Sequence, residues 1–196
     1  MKNKIDFDLK KSLEDIEDNK IVRGKLINSA LFLLCYDLLK DSIVNQVKLF
    51  YIDDSALNLS LQGMKDDYER EVLNLDKNKN IINASVKWLK NMVVINDYDV
   101  SILFKYKDVR DKKIGHDLPM TIFDSNYLIK LEDIINMRNL IHKIDTWFIK
   151  NVELPICNAT NDKQIEIENC QPVSGAIIIL DLIIKAGLIP EMTNEI

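Results

Sequence analysis

The segment IVRGKLINSALFLLCYDLLKDSIVNQVKLFYI, residues 21–52, contains no proline and one glycine, Gly24. Nothing inside it favours a turn. Ile27, Leu31, Leu34 and Leu38 recur at helical spacing, and Val47, Phe50 and Tyr51 continue the apolar face. The spacing predicts one long helix over about 21–52. A helix of that length spans a bundle or packs on a partner chain. The rest of the chain adds no counter-signal. Five glycines and four prolines in 196 residues, with no glycine-marked hairpin, predict an all-α protein. The length suits a single domain over 1–196.

Further helices follow from the same periodicity. Residues 6–19 predict a charged helical lead-in. The polar stretch 53–80 holds Gly63 and a short helical piece, DDYEREVLNL. IINASVKWLKNM predicts a core helix with Ile81, Ser85, Trp88 or Leu89, and Met92 on one side. VVIND is a break, after which Asn96 or Asp97 can cap a helix over about 98–113. That helix is expected to stop at Gly115 in a left-handed C′ conformation, with Pro119 forbidding continuation. In SNYLIKLEDIINMRNLIHKIDTWFIKN, the residues Ile134, Met137, Ile141, Ile144 and Phe148 form a buried stripe. Residues 152–171 read as a polar connection. Pro172 suits the first turn of a last helix, a C-terminal arm over about 172–188. That arm is apolar nearly all round, which predicts burial in the domain or in a dimer interface.

Apolar residues make up 47% of the chain, enough for a buried core. A net charge of −5 argues against broad, nonspecific DNA binding but leaves room for a local phosphate-binding patch. The cysteines, Cys35, Cys157 and Cys170, are too few and scattered for a disulfide framework or a zinc cluster. Cys35 falls in an apolar run and reads as core. The N-terminus has no apolar leader core, and Asp181 and Lys185 interrupt the most apolar run. A cytoplasmic protein without a membrane segment is expected. There is no phosphate-binding glycine loop, no GxSxG and no histidine pair at metal spacing, so neither a metal nor a cofactor is predicted.

The segment KYKDVRDKKIGHDLP, residues 105–119, departs from this background. Lys105, Lys107, Arg110, Lys112 and Lys113 outnumber Asp108 and Asp111. Cations near a helix C-terminus suit its dipole, which accounts for part of the pattern. The spacing adds something else. Arg110 lies on the last helical turn and His116 just past the expected cap, so both can face one small volume. Arginine offers paired donors to a phosphate, and histidine exchanges protons near neutral pH. Asp111 can orient the imidazole or position a ribose hydroxyl. Metal-free RNA cleavage needs such groups: one to activate a 2′-hydroxyl, one to stabilise the charged phosphorane, one to protonate the leaving oxygen. A second segment, MRNLIH, holds Arg138, Asn139 and His142 at shorter spacing inside the apolar stripe, and reads as structural. Trp88 and Trp147 read as core rather than base-stacking surfaces, and the acidic run LEDIEDNK as a solvated face.

RDKKIGH resembles the Arg–polar–x(3–5)–His motif of the HEPN superfamily. The surrounding IINASVKWLKNMVVINDYDVSILFKYKDVRDKKIGHDLP is similar to its abortive-infection branch, and YDLLKDSIVNQVKLFY fits the long helix of that branch. The resemblance covers about residues 20–150. It implies an up-and-down helical bundle with 172–188 as an additional helix. It also implies a metal-independent endoribonuclease of phage-defence or toxin–antitoxin type. Arg110 and His116 then match the catalytic pair and Asp111 the polar residue. Lys105, Lys107, Lys112 and Lys113 would bind RNA phosphates. A homodimer would bring two motifs to one cleft, and a nucleotidyltransferase-like antitoxin is a further implied partner. The alternative is a non-catalytic module of the same fold that binds a nucleotide, RNA or a protein.

Overall fold

The computed structural model describes residues 17–52, 67–124, 129–160 and 170–188, together with Lys11 and Glu14. Among the described residues there are seven helices and no strand. They are α1 (Asn19–Ile52), α2 (Ile81–Asn91), α3 (Asp97–Val109), α4 (Leu118–Phe123), α5 (Leu131–Phe148), α6 (Leu154–Thr160) and α7 (Gly175–Leu188). No described helix is long and apolar enough to cross a membrane. Residues 53–66, and most of the lead-in, lie outside the described residues.

Helix α1 is the shared wall of the bundle, packing on α2, α5 and α7. Its fully buried side chains are Phe32, Cys35, Leu39, Ile43 and Val47. The expected stripe is therefore rotated. Leu31 and Val47 are buried, whereas Ile27, Leu34, Leu38, Phe50 and Tyr51 pack at its margin. A helix touched from several sides buries more than one stripe, and spacing alone does not rank them. Burial pushes the Cys35 thiol up to about 12.

On α2 the buried residues are Ala84, Ser85, Val86, Trp88 and Leu89, while Ile81 and Met92 at its ends are exposed. Asn80 caps its start by accepting from Asn83 N–H at 3.1 Å. At its other end Val93 takes φ 59°, in the left-handed region, and is 86% exposed. Helix α5 buries Ile134, Met137, Ile141, Ile144 and Phe148 as expected. Trp88 stacks on Phe148 with centroids 6.3 Å apart and donates through Nε1 to the Tyr51 hydroxyl at 2.9 Å.

The region after α5 is not a loop throughout. A π-helical turn, Ile149–Glu153, carries the chain into α6. Pro155 is the second residue of α6. Its missing N–H falls directly behind the wide turn, where the ordinary helical ladder is already interrupted. Residues 161–169 lie outside the described residues. Cys157 and Cys170 form no disulfide with each other.

Helix α7 begins at Gly175, not at Pro172. Ser174 accepts from Ile177 N–H through Oγ at 3.3 Å and donates from that hydroxyl to Asp145 Oδ2 at 2.5 Å. Buried Asp145 also accepts from Ser42 Oγ at 2.9 Å and Gln46 Nε2 at 2.7 Å. A buried carboxylate is tolerable here because three donors and the positive end of α7 face it. This junction fixes where α7 meets α1 and α5.

Candidate functional site

Helix α3 starts in a capping box. Asn96 Oδ1 accepts from Asp99 N–H, and Asp99 Oδ2 accepts from Asn96 N–H, both at 2.9 Å. Leu103 and Tyr106 anchor it in the core. Tyr106 meets Phe32 of α1 edge to face at 5.8 Å, and burial pushes its hydroxyl up to about 12.

Beyond Val109 the helix does not stop. It widens into a π turn, Arg110–Ile114, closed by Gly115 N–H donating to the Arg110 carbonyl at 2.7 Å. Burial of Ile114 explains the widening. At ~100° per residue, an unbroken α-helix would place Ile114 ~80° round the axis from Tyr106. A π turn advances less per residue and brings Ile114 back toward the buried side.

Gly115 is not in the expected left-handed conformation: its φ is −76°. Its lack of a side chain matters for another reason. A Cβ there would lie 2.7 Å from the Arg110 carbonyl oxygen, closer than real contacts allow, and 4.0 Å from Arg110 Cδ. The turn thus brings residue 115 against the base of the arginine. His116 follows and is exposed. Pro119 sits in the first turn of α4, which Asp117 caps by accepting from Met120 N–H at 3.2 Å. Lys25 of α1 holds the far end of α4, donating to the Ile122 and Asp124 carbonyls.

The Arg110 guanidinium lies over the ring of Tyr36, 5.7 Å from its centroid. Tyr36 projects from α1 and is buried. Arg110 Nη1 donates to Asp111 Oδ1 at 2.9 Å, and Lys107 Nζ donates to Asp111 Oδ2 at 2.6 Å. Hydrogen bonds from Lys107 and then Arg110 hold the Asp111 carboxyl below its ordinary value. The same bonds to Asp111 raise Lys107 and Arg110. Among the described residues the bonds of Asp111 go to Arg110 and Lys107, and none to the His116 imidazole is present. Arg110 Nε and Nη2 donate to no described residue, and the side chain is 43% exposed.

The other lysines are less concentrated than their number suggests. Lys112 pairs with Asp108 at 2.5 Å and Lys105 with Asp133 of α5 at 3.1 Å. Lys113 has no ion pair among the described residues. Lys105 and Lys107 border a groove of about 590 Å³ with Asn80, Asn83, Ser101 and Phe104. Through Asn80 and Asn83 this groove adjoins a wider one of about 970 Å³, lined also by Lys40 and Lys79. Among the described residues, no three potential metal-ligating side chains come together.

Tyr36 was not foreseen, because it lies more than seventy positions before Arg110 in the chain. The second Arg–His segment has a different fate. Arg138 donates from Nε and Nη2 to Asp181 of α7, at 2.8 and 2.7 Å, in a bidentate pair. His142 Nδ1 lies 3.5 Å from Thr146 Oγ1. No family model matches the sequence, and no curated protein or solved structure matches it either.

Proposed function

We propose that the protein is a metal-independent endoribonuclease that cleaves RNA at Arg110 and His116, in a dimer bringing two such pairs to one cleft. One observation carries the reading: the π turn brings Gly115, which precedes an exposed histidine, against Arg110, whose Nε and Nη2 donate to no described residue. In the proposed reaction the 2′-oxygen attacks the adjacent phosphorus and the 5′-oxygen leaves. His116 moves a proton on one side of that displacement, and Arg110 offers its free N–H groups to the phosphorane oxygens. Asp111 keeps the guanidinium in place. The products are a 2′,3′-cyclic phosphate and a 5′-hydroxyl. The grooves beside Lys107 give the strand a path, with phosphates near the lysines and bases against Phe104 and the asparagine side chains. The biological setting implied is phage defence or a toxin–antitoxin pair, with a nucleotidyltransferase-like antitoxin as restraint.

The test is purified protein with single-stranded RNA in EDTA, scored for cleavage and end chemistry. Wild type is expected to cut and His116→Ala not to cut. No cutting by wild type, or equal cutting by both, removes the proposal. A second reading has its own support: Asp108, Asp111 and Asp133 each engage a cation of the basic segment. A partly neutralised surface of that kind suits a module that binds a nucleotide, RNA or a protein without cutting. Salt-sensitive binding with intact RNA recovered afterwards would select it.

A further inference from the structure

Two features of the described surface are not spent on the core. Helix α7 was expected to be buried all round, yet Ile178, Ile179, Leu182 and Ile183 stand outward at up to 63% exposure. A stripe of that size is ordinary on a monomer, and nothing beside it selects a partner. The groove between the start of α2 and the middle of α3 is different, because its walls carry a matched set of groups. Phe104 lines it and is 37% exposed. Asn80, Asn83, Lys105 and Lys107 line it too.

The two asparagines differ in what they have left to offer. Asn80 Oδ1 is committed to the Asn83 N–H as the cap of α2. The Asn83 side chain makes no hydrogen bond to a described residue, so its amide keeps both its acceptor and its donors. Lys105 is held by Asp133 and Lys107 by Asp111, and each ammonium keeps further donors for a phosphate. Asp108, the carboxylate of the lining, is closed on Lys112. The groove also connects to the arginine, since Lys107 and Arg110 share Asp111.

We propose that this groove is a subsite for adenine in single-stranded RNA, with Phe104 as the stacking surface and Asn83 as the residue that selects the base. The inference rests on the reading of the groove as an RNA path and adds which base lies in it. A purine stacks on an aromatic ring over a larger area than a pyrimidine does. The Asn83 amide oxygen can accept from the adenine N6 amino group while its NH₂ donates to N7 beside it. Guanine sets two acceptors, O6 and N7, on that edge, and one amide can satisfy only one of them. Arginine and lysine read guanine, and both lysines here are held by carboxylates. The strand must be single, because an A-form duplex hides that base edge in a deep, narrow groove.

Fluorescence anisotropy on the full chain carrying His116→Ala, which leaves the RNA intact, tests this with labelled octamers. One is all uridine, and the other two carry a single central adenosine or guanosine. The adenosine octamer should bind about tenfold tighter than the other two. Adding Asn83→Ala should bring the adenosine and guanosine octamers to within about twofold of each other, with an unchanged far-UV spectrum. Phe104→Leu should weaken the adenosine octamer by about fivefold or more. Equal affinity for the three octamers overturns the inference, as does an adenosine-over-guanosine preference that survives Asn83→Ala. Failure of every octamer to bind at low salt overturns it as well. Cleavage by wild type in EDTA reads the catalytic proposal separately. Cutting without a base preference in binding removes only the subsite, and an adenosine preference without cutting removes only the catalysis.

Discussion

Two stretches of this chain carry an arginine, a polar neighbour and a histidine, and the fold treats them in opposite ways. Arg138 sits inside α5, with both ends of its fork closed on Asp181 and His142 beside Thr146. It joins two helices. Arg110 sits where α3 widens, lies over the Tyr36 ring, and keeps Nε and Nη2 unengaged among the described residues. His116 stands past the last turn with no hydrogen bond to a described residue. The difference teaches that residue types do not make a site. An arginine whose donors are spent on a neighbouring helix supports the fold, whereas one held by stacking and a single carboxylate oxygen can still bind a ligand.

Activity separates the two arginine–histidine segments most sharply. His116→Ala and Arg110→Ala should each lower RNA cleavage in EDTA by at least ~100-fold. His142→Ala should leave it within about twofold, as expected of a helix-surface histidine remote from proton transfer. Equal losses at the two histidines would erase the distinction. The next effect concerns the turn itself. Gly115→Ala forces a Cβ against the Arg110 carbonyl and should cost ~1–3 kcal/mol. At ~2–4 °C per kcal/mol, a melting curve would show it clearly. An unchanged melting temperature would mean that the turn does not need its glycine.

A smaller effect belongs to the other arginine. Arg138→Ala should cost ~0.5–1 kcal/mol in urea titration, because its partner is half exposed and the pair is screened. Cleavage should be unaffected if the α7 bridge is purely structural. The smallest effect is its pH dependence. Arg138 holds Asp181 below its ordinary value of 3.8. A carboxyl depressed in the folded state contributes stability that is complete above the unfolded value and is lost as pH falls through the folded one. The stability gap between wild type and Asp181→Asn should therefore be constant near neutral pH and shrink below about pH 4. A gap that persists at pH 2 would place the interaction elsewhere.

The long helices were legible, because threefold and fourfold apolar spacing over ten or more residues admits few other structures, whereas the short α4 and α6 were not. The Asn96 cap was legible from its position before an apolar repeat, and the α5 stripe was read correctly residue by residue. The helix ends were not. Gly115 looked like a left-handed cap and is right-handed, while Val93 takes the left-handed position at the end of α2 despite its β-branch. There the tertiary placement of Val94 and Ile95, both buried, outweighs the local preference. The candidate site was read as a list, Arg110, Asp111 and His116, and the surroundings of its arginine come only from the structure. Tyr36 and Asp181 act across more than forty residues of chain, and no local pattern points to either.

The π turn at 110–114 has a consequence for chain length. Such a turn is what remains when a helix holds one residue more than its ladder can absorb. Ile114 is thus kept on the buried side by a surplus. Deleting Lys112 would put Ile114 seven positions after Tyr106, ~20° from it about the axis, so the ladder could close as an ordinary α-helix with the same side chain in the core. Each of the three candidate residues would survive that deletion unaltered in kind, and the Gly115 bond to the Arg110 carbonyl that marks the wide turn would be gone. The segment between Arg110 and His116 is longer by one residue than the core requires.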